Sequence, residues 1–135
     1  QSVATTPLQL AAAYSIFAND GVLVPPKLVE GAETPPAYRV LSTEISQTVR
    51  DMLVHTVEES GLRNSIIPGV QVAGKTGTAE NPFGESHSWF IGFAPAHRPA
   101  LAVAVLVEQG GYGSAVAAPI ARDLLLAARD RGLLQ

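Results

Sequence analysis

The sequence has 135 residues, of which 47% are hydrophobic and 16% charged, with a formal net charge of −3 and no cysteine. The charged share lies well below the roughly 25% of an average soluble domain, which excludes disorder, and the acidic balance without a basic cluster argues against nucleic acid as a partner. Missing thiols exclude disulfides, zinc-thiolate sites and cysteine catalysis, and the all-apolar stretch Leu101 to Val107 is only seven residues, far too short to cross a bilayer.

Thr6-Pro7-Leu8-Gln9 has the form of a capping box, with Thr6 as N-cap and Pro7 preorganised at the first helical position. A helix is predicted from there to Asn19-Asp20-Gly21; because Leu10, Ala11, Ala12, Ala13, Tyr14, Ile16 and Phe17 make it apolar on nearly every side, it reads as interior. Val22 to Val24 suits a short strand, and Pro25, Pro26, Pro35 and Pro36 bracket an irregular surface excursion. From Ser42 a second, amphipathic helix follows, with Ile45, Val49, Met52, Leu53 and Val57 on one face and Gly61 as its left-handed stop.

Pro68-Gly69 turns the chain into Val70-Gln71-Val72-Ala73, whose alternation suits a strand; Ser88 to Ala94 and Leu101 to Val107 supply two more. Three successive strands with short connections predict an antiparallel meander. Leu101 to Val107 contains no polar residue and is expected to lie centrally with both faces covered. After Gly110-Gly111-Tyr112-Gly113, residues Ala117, Ile120, Ala121, Leu124, Leu125 and Ala128 trace the apolar stripe of a last helix that packs on the sheet. The predicted class is therefore α/β of the α+β kind, an antiparallel sheet with helices packed on it. A positive mean hydropathy with so few charges fits either a small compact core or apolar faces that further polypeptide covers.

Two glycine motifs fail on context. Gly69 to Thr76 has the spacing of a Walker A phosphate loop, but Pro68 cuts short the strand before it, its interior is strand-like, and Gly77 and Asn81-Pro82 oppose a helix after Lys75-Thr76. The strand from Leu101 with Gly111-Tyr112-Gly113 resembles the opening of a dinucleotide fold. It lacks the third glycine, a second parallel strand and an acidic residue for a ribose.

Read instead as a strand, Lys75-Thr76-Gly77-Thr78 puts Lys75 and Gly77 on one face and Thr76 and Thr78 on the other or, at a bulge, toward the edge. A lysine charge, two hydroxyls and a glycine without a side chain suit the carboxylate of an extended peptide lying against backbone amides. Lys-Thr-Gly is weak evidence as a bare tripeptide. Its surroundings strengthen it: Val72-Ala73-Gly74-Lys75-Thr76-Gly77-Thr78-Ala79-Glu80, a short polar insertion, then Ser88-Trp89-Phe90-Ile91-Gly92-Phe93-Ala94-Pro95 closely resembles the transpeptidase domain of class B penicillin-binding proteins, in the serine β-lactamase and transpeptidase superfamily, among whose signatures is Lys-Thr-Gly. The likeness extends to the Thr5 to Ala11 helix start, Ala18-Asn19-Asp20-Gly21, the strand from Leu101 and the Ala117-Ala118-Pro119 helix entry; only about residues 28 to 65 lack a sharp signature.

This resemblance implies acyl transfer through a serine ester on a D-alanyl-D-alanine stem peptide of peptidoglycan, with β-lactams as mimics of the donor. It implies that Lys75 supplies positive potential and assists proton movement, that Thr76 and Thr78 hold the donor's terminal carboxylate, that Gly77 permits close approach, and that the Thr78 N–H donates to the developing oxyanion. No cofactor or metal ion is implied. The family's Ser-x-x-Lys and Ser-x-Asn motifs occur at none of the chain's serines. Both precede Lys-Thr-Gly in family order, so residues 1 to 135 are expected to be the C-terminal portion of one transpeptidase domain, a partial sandwich joined near Gln1-Ser2-Val3 to an N-terminal half that carries the nucleophile. That half would also cover apolar surface, and the parent would be membrane-anchored and act at the extracytoplasmic face of the bacterial plasma membrane, with this chain itself soluble. A noncatalytic binding or sensor module of the same fold, and a structural domain in which Lys75-Thr76-Gly77 is a relic, are the rival readings.

Among the remaining residues, His55 reads as an exposed helix residue, His97 as a turn residue and His87 as a loop or strand-cap group, with no metal-ligand spacing among them. Trp89, Phe90 and Phe93 read as core and sheet-face residues. Glu80 and Asn81 either shape access to the site or end the strand, and Gly110 to Gly113 is either a mobile rim or a plain turn.

Overall fold

The computed structural model of the chain describes residues 4–59 and 67–134. In chain order the elements are α1 (Pro7–Ala18), β1 (Val22–Leu23), β2 (Tyr38–Arg39), α2 (Thr43–Glu59), β3 (Ala73–Ala79), β4 (His87–Ala94), β5 (Leu101–Val107) and α3 (Ala117–Asp130). Gly61, expected to stop the second helix, lies outside the described residues, as do Ile66 and the opening residues 1–3.

The capping box forms as its sequence requires: the Gln9 N–H donates to Thr6 Oγ1 at 3.2 Å and the Thr6 N–H donates to Gln9 Oε1 at 2.8 Å, satisfying two otherwise orphaned donors. α1 ends at Asn19, after which Asp20 and Gly21 take φ of 50° and 91°. A Cβ at Gly21 would lie 2.1 Å from the Leu41 carbonyl oxygen, so the position needs glycine for both conformation and space. That approach lets the Gly21 carbonyl accept from the Val40 and Leu41 N–H groups and brings β1 beside β2, a two-residue antiparallel ladder that the proline-bracketed excursion concealed in the sequence.

β3, β4 and β5 form an antiparallel sheet in that order, so the meander is present but the expected centre is displaced. β4 is the middle strand and β5 an edge strand, of which only Val105 is fully buried. The apolar run of β5 reports that helices lie over its two faces, α1 on one and α3 on the other; it carries no information about a lateral neighbour. β3 also starts later than the alternation of residues 70–73 suggested. The Val70 N–H closes a tight turn onto the Ile67 carbonyl at 3.1 Å, and the strand begins only at Ala73.

Register sorts the side chains into two layers. Gly74, Thr76 and Thr78 align with Gly92, Phe90 and Ser88, and these with Val103, Val105 and Val107. This face carries the core formed with Ala117, Ala118, Ala121, Leu125 and Ala128 of α3. On the opposite face Ala73, Phe93 and Ala102 pack with Leu53 and Val49 of α2 and with Tyr14 and Phe17 of α1. Tyr14 and Phe17 meet edge to face at 5.9 Å, and burial pushes the Tyr14 phenol pKa upward. Phe90 is wholly buried over the paired glycines Gly74 and Gly92. A Cβ at Gly92 would lie 2.4 Å from the Ala73 carbonyl oxygen. Gly92→Ala is therefore expected to cost about 1–3 kcal/mol through backbone displacement, read as a lowered thermal midpoint; an unchanged midpoint would contradict the close pairing.

Three helix expectations need correction: on α2, Ile45 and Met52 share the apolar spacing but are exposed, leaving Leu53 and Val57 as its buried apolar residues. α1 was expected to be interior, yet none of its residues is fully buried and Leu8 is 43% exposed. α1 meets the sheet and α2 through Tyr14, Phe17 and Ala18, all only partly buried. Arg50 of α2 anchors its end by donating from Nη2 to the Phe17 carbonyl at 2.9 Å and to Asp20 Oδ1 at 2.6 Å. On α3, Ile120 and Leu124 belong to the apolar stripe by spacing but are exposed, because the sheet contacts the narrower, alanine-rich line of the helix.

Candidate active site

Residues 75–78 lie within β3, with no helix opening after Lys75-Thr76, which confirms that the Walker-type spacing is coincidental. Alternation along the strand places Lys75 and Gly77 on the α1/α2 face and Thr76 and Thr78 on the α3 face, as expected. Lys75 is exposed, and its Nζ donates to the adjacent Thr76 carbonyl at 3.0 Å. Gly77 is paired with Trp89, where an added Cβ would meet the Trp89 Cβ at 3.3 Å. Thr78 is exposed, and its Oγ1 accepts from the Gly113 N–H at 3.3 Å.

Among the described strands β3 pairs only with β4. In an antiparallel ladder alternate N–H and C=O groups point away from the partner strand, so the outer side of β3 presents a row of them. The ammonium on one face and the hydroxyls on the other flank this row. Such an edge can receive an extended chain by backbone pairing and hold an anionic terminus by charge and hydroxyl donation.

The β5–α3 connection closes over this end of the sheet. The Gln109 N–H donates to His87 Nδ1 at 3.0 Å and the Gly111 N–H to the Ser86 carbonyl at 2.8 Å. Ser88 Oγ donates to the Tyr112 carbonyl at 3.2 Å and accepts from the Ala117 N–H at 3.1 Å. Of the two readings left for Gly110 to Gly113, the structure supports an anchored turn. Sequence reasoning passed over Ser88 as one strand residue among several and missed Gly113 as a donor to the site. The available signal was a serine one residue after His87, paired opposite Thr78, but its partners lie 24 and 29 residues away.

Other candidates fall where the sequence put them. His87 caps the start of β4 through its bond to Gln109, and Asn81 Oδ1 accepts from the Phe83 N–H at 3.0 Å in a turn that ends β3. Phe90 and Phe93 are buried and Trp89 is half-buried. His55 is exposed beside Glu59 on α2 and His97 is exposed in the β4–β5 turn; neither joins the β3 edge. Among the described residues no group of three or more His, Asp or Glu is placed to hold a metal, and no helix is long and apolar enough to cross a membrane.

Comparison with known proteins agrees with this architecture. Residues 1–126 match the family model for the penicillin binding protein transpeptidase domain. The chain is 40% identical to the peptidoglycan D,D-transpeptidase PbpA of Mycolicibacterium smegmatis, over 98% of this chain and 31% of that protein. It is 36% identical to the probable peptidoglycan D,D-transpeptidase PbpC of Pseudomonas aeruginosa, over 92% of this chain and 24% of that protein. Among solved structures, a ceftriaxone acyl-enzyme complex of penicillin-binding protein A from M. tuberculosis superposes with a TM-score of 0.83 at 38% identity, covering 95% of this chain and 33% of that one. The D,D-transpeptidase domain of a peptidoglycan glycosyltransferase from Eggerthella lenta gives a TM-score of 0.82 at 35% identity, covering 96% and 33%. The chain thus spans no more than about a third of the length of these relatives. With the mixed α/β fold, the Lys-Thr-Gly edge strand and a family match over residues 1–126 in agreement, the chain belongs to the penicillin-binding protein transpeptidase domain family.

Proposed function

We propose that residues 1–135 form the C-terminal portion of a serine D,D-transpeptidase domain and supply one wall of its active site. The observation that carries this reading is the free edge of β3, with Lys75 on one side and the Thr76 and Thr78 hydroxyls on the other. The uncovered apolar surface of α1 and the edge position of β5 support the expectation that an N-terminal half packs here and brings the nucleophile.

In the proposed reaction a serine oxygen from that half attacks the carbonyl carbon between the two D-alanines of a peptidoglycan stem peptide. The Lys75 ammonium supplies positive potential and assists transfer of the serine proton. The Thr76 and Thr78 hydroxyls donate to the terminal carboxylate, Gly77 lets the donor backbone approach, and the Thr78 N–H donates to the oxyanion. Collapse breaks the peptide bond, the terminal D-alanine leaves as an amine after accepting a proton, and an acyl-serine ester remains. The amine of a neighbouring stem peptide then attacks the ester, forming the crosslink and returning the serine. A preorganised oxyanion donor is worth about 3–4 kcal/mol of barrier. A β-lactam follows the first half of this course and stays as the ester. The working location is the extracytoplasmic face of the plasma membrane, where peptidoglycan is assembled.

The longer protein containing this chain is expected to be labelled covalently by fluorescent penicillin, and excess peptide ending in D-Ala-D-Ala is expected to slow the labelling. Reversible penicillin binding without a covalent product would instead support a noncatalytic sensor.

A further inference from the structure

Ser88 is wholly buried, so it cannot touch a substrate, yet its hydroxyl holds two points of the connection that overlies the site. It donates to the Tyr112 carbonyl at 3.2 Å and accepts from the Ala117 N–H at 3.1 Å. Ala117 is the first residue of α3, and Val116, its N-cap, offers no side-chain hydrogen bond; Ser88 therefore satisfies from a neighbouring strand a donor that the helix leaves orphaned. Between these two grips lies Gly113. Its N–H donates to Thr78 Oγ1 at 3.3 Å, and a Cβ there would fall 2.5 Å from the Gly77 carbonyl oxygen and 2.6 Å from that of Trp89. Gly113 is pressed onto the sheet and has no slack along the chain in which to withdraw.

Thr78 and Ser88 are directly paired across β3 and β4, on the same face. Ser88 grips residues 112 and 117, and Thr78 receives residue 113. Because the Gly113 N–H occupies a lone pair of Thr78 Oγ1, the hydroxyl proton is turned away from the connection and remains available for another acceptor. The β-branched side chain limits the alternatives at χ1. We infer that Ser88 is a positioning residue: by clamping residues 112–117 it holds the Gly113 N–H against Thr78 and so orients the Thr78 hydroxyl toward the carboxylate of the acyl donor. This rests on the assignment of Thr78 as a carboxylate-binding group.

The test is a double-mutant cycle in the longer protein, with Ser88→Ala, Thr78→Val and both together, reading the second-order rate constant for acylation by penicillin. Ser88→Ala leaves the Tyr112 carbonyl and the Ala117 N–H without their partner, and an effect of about tenfold is expected. In the Thr78→Val background the same change is expected to cost less than about twofold, because the hydroxyl it orients is gone. Equal costs in both backgrounds, or no cost in either, would overturn the inference. Hydrogen exchange gives a second readout: Ser88→Ala is expected to speed exchange of the Gly113 and Ala117 amides together while leaving α2 unchanged. Should Ser88→Ala not fold, the wild-type protein suffices, since slow exchange at Gly113 is required and exchange at the rate of an exposed amide would refute the clamp. A wild-type protein that penicillin does not acylate would count against the transpeptidase reading, and exchange at Gly113 and Ala117 would then decide the clamp alone.

Discussion

Once penicillin has acylated the proposed longer protein, digestion is expected to return every peptide from residues 1–135 unmodified, with the adduct on a serine elsewhere that is followed three residues later by lysine. The expectation rests on what a serine needs in order to attack. An unassisted hydroxyl is a poor nucleophile and requires an adjacent base. The chain has two lysines, Lys27 and Lys75, and neither stands three residues after a serine. Of the described serines, Ser46 and Ser88 are wholly buried, and Ser15 Oγ donates to the Ala12 carbonyl within its own helix at 2.7 Å. The isolated chain should accordingly show no mass increase with penicillin. An adduct on any serine from 1 to 135 would overthrow the division of labour proposed here, because the Lys-Thr-Gly strand would then share a polypeptide segment with its own nucleophile.

The second large effect is expected from Lys75→Ala in the longer protein, which should lower the acylation rate by on the order of 10²–10³-fold, the range seen when a preorganised electrostatic group is removed from an acyl-transfer site. The fold should hardly notice. Lys75 is exposed, and its ammonium bonds only to the carbonyl of the next residue among the contacts of the described chain, so the stability change should stay within about 0.5 kcal/mol. Stopped-flow acylation beside thermal unfolding separates the two quantities. A rate equal to wild type would remove Lys75 from the mechanism, and a collapsed thermal midpoint would show that the strand depends on it structurally.

The parts of the fold that could be read in advance are those whose causes are local. Thr6 and Gln9 stand at the spacing that closes a capping box, and the bonds form between those atoms. Asn19-Asp20-Gly21 stops α1 because glycine accepts the left-handed conformation that the turn needs. The strand character of Lys75 to Thr78, and the division of its side chains between two faces, follow from a period of two and need no knowledge of neighbours. The assignment of these residues to acyl transfer came from their resemblance to a family, and the match over residues 1–126 supports that membership.

What tertiary structure decided involves partners distant in the chain. An all-apolar strand can be central or lateral, and β5 is lateral; a helix apolar all round can be interior or await a partner, and α1 has no fully buried residue. The Tyr38–Arg39 strand lies beside β1 because the Gly21 carbonyl accepts from the Val40 and Leu41 N–H groups, an approach that a side chain at Gly21 would block. Ser88 bonds to residues 112 and 117, and Gly113 reaches Thr78 across 35 positions. Side-chain polarity records which faces will be buried, whereas lateral order and hydrogen bonds between loops depend on which backbones meet, and that is settled only when the chain closes on itself.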